Sequence, residues 1–230
     1  MKIKHLTILF LSVFFVSTQV NAQDNVKKAK QILNKLSKTY KGYKNIKAAF
    51  TIATENVDKS TSSLSGTIWI KDEDFKITMD GQEIVCDGDT IWTAQVDLKE
   101  VTVKDYKPSA NEIQPAQIFS IWDKGFDYTW VESTTEKGVT YDIIDLIPKE
   151  NKEAKDYSKV KLKVNTKTNS LVSATIIKKN GVKITYSITS QETNLTLDKK
   201  FFWMDTAAKK KAGYIITDLR KKKKDKKDKK

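Results

Sequence analysis

Three groups of side chains could do chemistry. Asp72, Glu73 and Asp74 stand together, Asp87 and Asp89 flank Gly88, and Cys86 precedes them. Paired carboxylates at a suitable separation carry out glycosidic acid–base chemistry. A cysteine acts as a nucleophile when a neighbouring base lowers its pKa. Both acidic groups fall at expected turns, and solvated turn residues are the reading that their neighbours favour. They also lack the ligand spacing and closing glutamate of a calcium loop. The one histidine is His5, inside what reads as a leader, so the chain beyond the leader has none. That removes Ser-His-Asp and Cys-His catalysis and His-ligated zinc. Cys86, without a partner base and inside an alternating strand, reads as a buried structural thiol. Asn194-Leu195-Thr196 fits the glycosylation triplet, a frequent chance match, and no glycine-rich phosphate loop is present. No catalytic residue, metal site or cofactor is expected.

The leader is expected over residues 1–22. Lys2 and Lys4 supply charge, Leu6 to Val16 the apolar run, and Val20-Asn21-Ala22 a small-residue cleavage site. The run is short for a membrane span, which needs about 20 residues. The mature chain is expected to start at Gln23, to be exported to the periplasm and to be a soluble monomer. The formal charge of +13 is unevenly placed. Lys209–Lys230 holds twelve basic and three acidic residues, and the body from 23 to 208 is close to +2. Export and a nearly neutral body argue against a nucleic-acid partner. With a single cysteine no intrachain disulfide can form.

The elements that would position any site are mostly strands. Asp24–Tyr40 is expected to be a helix capped by Asp24, with Val26, Ala29, Ile32, Leu33, Leu36 and Tyr40 on one face and lysines on the other. A helix packed on a sheet is the ordinary outcome of that pattern, and a membrane-surface helix is the other. From 48 to 104 about six strands follow one another through short turns. Asp87-Gly88 is a hairpin signal, and Trp92 lies on the strand after it. Residues 105–125, with Pro108 and Pro115, break the pattern and are expected to form a short helix over one end of the sheet or a movable lid. Strands resume from Phe126 to Ile188, with a second hairpin signal at Asn180-Gly181, and Tyr214–Ile216 could add a last one. The expected fold is mainly β: a single antiparallel sheet of about eleven strands, curved into an incomplete barrel. An N-terminal helix and a short helical lid would cover it. The domain is expected over 23–217. Residues 218–230 are expected to be a disordered lysine-rich tail that solubilises or attaches to an anionic surface. The aromatic side chains suit either a packed core or the wall of an apolar cavity.

The order Gly66-Thr67-Ile68-Trp69-Ile70, then Phe75, then Ile84-Val85-Cys86-Asp87-Gly88-Asp89-Thr90-Ile91-Trp92, resembles the periplasmic carriers of outer-membrane lipoproteins, the LolA-like family. The segment around Pro115, Tyr141–Pro148, Asn180-Gly181 and Leu197–Phe202 continue the likeness, over roughly residues 26–205. The resemblance implies an unclosed barrel whose apolar hollow takes the acyl chains of lipoproteins between the inner and the outer membrane. It implies acylated lipoproteins, an inner-membrane lipoprotein-releasing transporter and an outer-membrane acceptor as partners. Phe50, Ile68, Ile70, Phe75, Ile77, Ile84, Trp92, Ile118 and Trp122 are the expected cavity and lid residues. One departure stands out: where the family often has an arginine followed by proline, this chain has Lys71-Asp72-Glu73, so Lys71 is the expected lid-holding polar group. A non-enzymatic domain for another lipid or envelope partner is the alternative.

Overall fold

The computed structural model describes residues 19–108, 119–123, 125–149 and 156–221. Helix α1 spans Gln19–Lys41. It starts ahead of Asp24, which therefore lies inside the helix and does not cap it. The first of its described side chains to be buried is Ala29, followed by Leu33, Leu36 and Tyr40. This is the expected apolar stripe with one exception, Val26, which is 46% exposed, and it faces the sheet. The helix ends where Gly42 and Tyr43 donate back to Thr39 and Tyr40.

Among the described residues twelve strands form one sheet. β1 (Ile46–Glu55), β2 (Thr61–Lys71), β3 (Asp74–Met79), β4 (Gln82–Cys86), β5 (Thr90–Gln95) and β6 (Glu100–Asp105) make one meander. β7 (Phe126–Glu136), β8 (Val139–Pro148), β9 (Tyr157–Asn165), β10 (Ser170–Lys178) and β11 (Lys183–Thr193) make another. The two are joined by antiparallel pairing of β1 with β11, Ile52 lying opposite Tyr186. β7 is the free edge at one end. At the other end β12 (Ile215–Asp218) pairs with β6. This last pairing is parallel, so the sheet is not antiparallel throughout. β6 and β7 lie near opposite ends of the sheet.

Alternation sorts the side chains onto two faces, and register carries the sorting from strand to strand. Ile46, Ile70, Phe75 and Cys86 are successive partners, as are Ala48, Ile68, Ile77 and Ile84. Across the joint, Ala174, Leu162 and Ile144 continue the same face through β10, β9 and β8. All belong to, or pack against, one large apolar cluster with α1. Bulges at Ala49/Phe50, Leu171/Ser173 and Trp130/Glu132 interrupt the ladders. Such bulges bend strands, and the sheet curves around α1 without closing.

The outer face has its own smaller core. Val85, Trp92, Ala94, Val101 and Val103 are covered by Met204, Tyr214 and Ile216 of the C-terminal segment. Phe201 packs on Trp69 at 5.7 Å between ring centres. Glu83 binds Lys76 at 2.8 Å and Lys209 at 2.9 Å. Burial pushes its carboxyl up, but the two ammonium groups outweigh that and hold it below the usual range. Lys209 sits on α2 (Thr206–Lys211), a six-residue helix that sequence periodicity does not show because none of its side chains is buried. Asp205 caps it by accepting from the Ala208 amide at 2.9 Å.

Candidate functional site

The residues with chemical potential are architectural. Asp87 Oδ1 accepts from the amides of Asp89 at 3.1 Å and Thr90 at 2.7 Å, closing the three-residue loop between β4 and β5. Gly88 supplies the left-handed backbone there, with φ of 86°. Cys86 is fully buried, and burial pushes its thiol up to about 11. That suits packing and not nucleophilic attack. Asp74 is also raised, by burial and then by Asp87. Among the described residues no group of three or more His, Cys, Asp or Glu is placed to hold a metal ion. An open hollow of about 800 Å³ lies at the sheet edge between Asp87, Asp89, Asp105, Tyr106, Asp218 and Arg220. Its lining is rich in carboxylates, and its Tyr106 meets the Phe75 ring of the apolar cluster at 5.7 Å.

The feature that stands apart from ordinary packing is the floor of the concave face. Under α1 the floor is closed: Ile144, Leu146, Val160 and Leu162 have no exposed surface. Along β1, β2, β3, β4 and β11 it is different. Phe50, Ile52, Met79, Ile84, Tyr186 and Ile188 are only half-buried, and Leu64 is 46% exposed. Register makes them one surface. Ile52 lies between Leu64 and Tyr186, and Phe50 between Gly66 and Ile188. Gly66 lies opposite Met79. Gly66 is required by this arrangement. A Cβ there would come within 2.5 Å of the Thr78 carbonyl oxygen, 2.8 Å of the Phe50 ring and 2.9 Å of the Met79 Cγ. The missing side chain lets Phe50 and Met79 lie flat on the sheet.

The cover over the closed part is tied down at two places. Near its C-terminal end Tyr40 stacks on Phe119 at 4.9 Å and meets Trp122 edge-on at 6.1 Å. Trp122 belongs to a 3₁₀ turn, Ile121–Asp123. Its indole N–H donates to Ser37 Oγ at 2.7 Å, and Ser37 donates to Asp123 at 2.5 Å. Lys41 completes the chain with Asp123 at 2.7 Å. The Tyr40 hydroxyl donates to Gln191 and accepts from the Leu171 amide, both at 3.1 Å. Burial pushes that phenol up to about 12. Nearer the helix N-terminus, Lys28 stands 3.5 Å over the Trp130 ring and 3.8 Å from Asp142. Asp142 also accepts from Trp130 Nε1 at 2.9 Å and from Ser133 at 2.7 Å.

The sequence-derived candidates divide accordingly. Ile68, Ile70, Phe75, Ile77 and Trp122 are buried in the concave cluster, and Phe50 and Ile84 pack against it half-covered. Trp92 is not with them. It lies on the outer face under Met204. The hairpin register explains this: Cys86 pairs with Ile91, so Trp92 pairs with Val85 and cannot share a face with Ile84. Ile118 lies outside the described residues. Lys71 is exposed at the β2–β3 turn, opposite Asp74. The described polar contacts that hold the Trp122 turn come from Ser37 and Lys41 of α1 and not from Lys71. The sequence-derived candidates do not include Tyr40, nor Ile52, Leu64, Met79, Tyr186 and Ile188 of the floor. The alternation of Val182–Ile188 was legible, but its pairing with β1 was not.

Residues 41–205 match the family model described as outer membrane lipoprotein carrier protein LolA. The chain belongs to the LolA family. The matched span covers the sheet from β1 to β11 and stops at Asp205, so almost all of α1, together with α2 and β12, lies outside it. An outer-membrane lipoprotein carrier protein from Halorhodospira halophila is 34% identical over 79 residues, which is 34% of this chain and 35% of the relative. The chain thus aligns with about a third of that curated relative. Among solved structures, an uncharacterized conserved protein from Thermus thermophilus superposes with a TM-score of 0.52 at 9% identity, covering 84% of this chain and 98% of its own. A LolA superfamily protein from Nitrosomonas europaea gives 0.42 at 14% identity, with 77% and 98% covered. The LolA family is one of carriers. Among the described residues no helix is long and apolar enough to cross a membrane.

Proposed function

We propose that this protein is a periplasmic, non-enzymatic carrier that receives the acyl chains of lipoproteins on its concave face and moves them from the inner to the outer membrane. The observation that carries the reading is the floor formed by Phe50, Ile52, Leu64, Met79, Ile84, Tyr186 and Ile188. It is a continuous apolar surface left half-covered beside a fully packed core. Removing each methylene of an acyl chain from water is worth about 0.8 kcal/mol, so a long chain needs such a surface to cross an aqueous space. Among the described residues the floor offers mainly apolar contact, which suits binding and release. The leader over residues 1–22 is cut off before the carrier acts. Such a cut falls inside α1 but ahead of Ala29, the first of its described side chains to be buried. An inner-membrane releasing transporter would supply the lipoprotein, and an outer-membrane acceptor would take it by offering a competing apolar site.

The test is release of a labelled lipoprotein from inner-membrane vesicles into a soluble complex with the purified protein. The expected result is a soluble complex whose yield falls at least about tenfold in an Ile84→Glu, Ile188→Glu variant, because charged groups cannot be buried beside an acyl chain without a large penalty. A lipoprotein that stays with the vesicles, together with no uptake of a fluorescent acyl probe, would overturn the reading. Uptake of the probe without lipoprotein release would point to another lipid cargo.

A further inference from the structure

The outward side of α1 carries charge that, among the described residues, is paired only in part. Six lysines lie between Lys27 and Lys41, against the single carboxylate of Asp24. Lys28 is engaged with Asp142 and Lys41 with Asp123. Lys27, Lys30, Lys35 and Lys38 have no acidic partner among the described residues. At the α-helical repeat these four fall within an arc of about 140°, opposite the stripe of Ala29, Leu33, Leu36 and Tyr40 that faces the sheet. They are spread over about 16 Å of helix. Lys27, Lys28 and Lys30 are exposed, as is Val26, which lies at the border of the stripe with 46% of its surface in water.

We infer that this face of α1 is a docking surface for anionic phospholipid headgroups, placed so that the concave floor opens toward the bilayer. The inference rests on the carrier reading. α1 packs on the concave side mainly against β7, with smaller contacts to β10 and the Trp122 turn, so a surface that meets its outer face approaches from the side of the sheet on which the floor lies. Separate lysine ammonium groups on long stems are point charges that follow a diffuse anionic surface, whereas a single acidic peptide would favour arginine forks. An exposed valine beside a basic arc is also the arrangement of helices that rest on a headgroup layer. The fold's body is near neutral, so this attraction is local to α1 and does not arise from general basicity.

The experiment is sedimentation of the protein with vesicles of phosphatidylcholine, with and without phosphatidylglycerol, at low and high salt. It is run on the full chain and on the chain ended after Lys221, which removes the terminal lysines as a competing source of charge. The shortened protein is expected to bind the phosphatidylglycerol vesicles, and to lose that binding at high salt. In this background K27Q/K30Q/K35Q/K38Q should weaken binding at least about tenfold, since each lysine near an anionic leaflet is worth roughly a fivefold factor in affinity. Its thermal midpoint and its uptake of a fluorescent acyl probe should stay unchanged. Binding that disappears with the terminal lysines, or that survives the four glutamine substitutions, would overturn the inference. Failure of the parent chain to take up the acyl probe would overturn the carrier reading separately, whatever the vesicles show.

Discussion

The two parts of the concave face use the same residue types to different ends. Under α1, Ile144, Leu146, Val160 and Leu162 are wholly enclosed. Along β1, β2 and β11, Phe50, Ile52, Leu64 and Ile188 stand on the same sheet with part of their surface in water. Sheet geometry does not separate them, because register places them on one continuous face. Cover does: α1 packs mainly against β7, with smaller contacts to β10 and the Trp122 turn. The lesson is that an apolar face becomes core or binding surface according to what a second layer covers. The first part holds the protein together, and the second has surface left to give to a ligand.

That division predicts an ordered set of losses. Leu162→Ala in the closed part should cost about 2–5 kcal/mol, from lost burial plus the cavity left behind, read by denaturant unfolding. Gly66→Ala should cost about 1–3 kcal/mol by overpacking against the Thr78 backbone, and should reduce acyl-probe uptake because Phe50 can no longer lie flat. A Gly66→Ala protein with unchanged stability and uptake would break the account of the floor.

The tie between α1 and the sheet has a pH signature. Burial raises the Tyr40 phenol from 10 to about 12, so the folded state holds its proton more tightly than the unfolded chain does. Its contribution to stability is fully present below pH 10 and is lost as pH rises toward 12. Tyr40→Phe should flatten that alkaline slope, while costing about 1 kcal/mol at neutral pH for the hydrogen bonds to Leu171 and Gln191. An unchanged slope would remove Tyr40 as its source.

Smaller effects test the cover and the open floor. Ser37→Ala removes the acceptor for Trp122 Nε1 and the donor to Asp123. It should cost about 1 kcal/mol and speed hydrogen exchange around Trp122. Ile188→Ser should cost least in stability, under about 1 kcal/mol, since its side chain is already half in water. Acyl-probe affinity should nonetheless fall. A stability loss as large as that of Leu162→Ala would mean that the open floor is core after all.

Much of this architecture was legible locally. The alternation of Phe75, Ile77 and Met79 against Lys76 and Thr78 gives a half-buried strand wherever the strand sits. The stripe on α1 and the Asp87-Gly88 turn follow from spacing and backbone freedom in the same way. The lack of histidine beyond His5 bounded the chemistry before any fold was known. The site was legible only in part. Alternation says which side chains share a face within one strand, and it does not say which face becomes concave. Trp92 shows the gap: its strand was recognised, but its face follows from the Cys86–Ile91 register and from the C-terminal segment that settles over it.

What the sequence determined alone was therefore local and periodic: helix, strands, turns, the uneven charge and a single histidine at His5. What tertiary structure decided was non-local. The pairing of β1 with β11 brings Ile188 beside Phe50, and the parallel pairing of β12 with β6 closes the outer core. The helix chooses which apolar residues are sealed and which stay open. These choices depend on chain segments more than a hundred residues apart, and periodicity within a single strand carries no information about them.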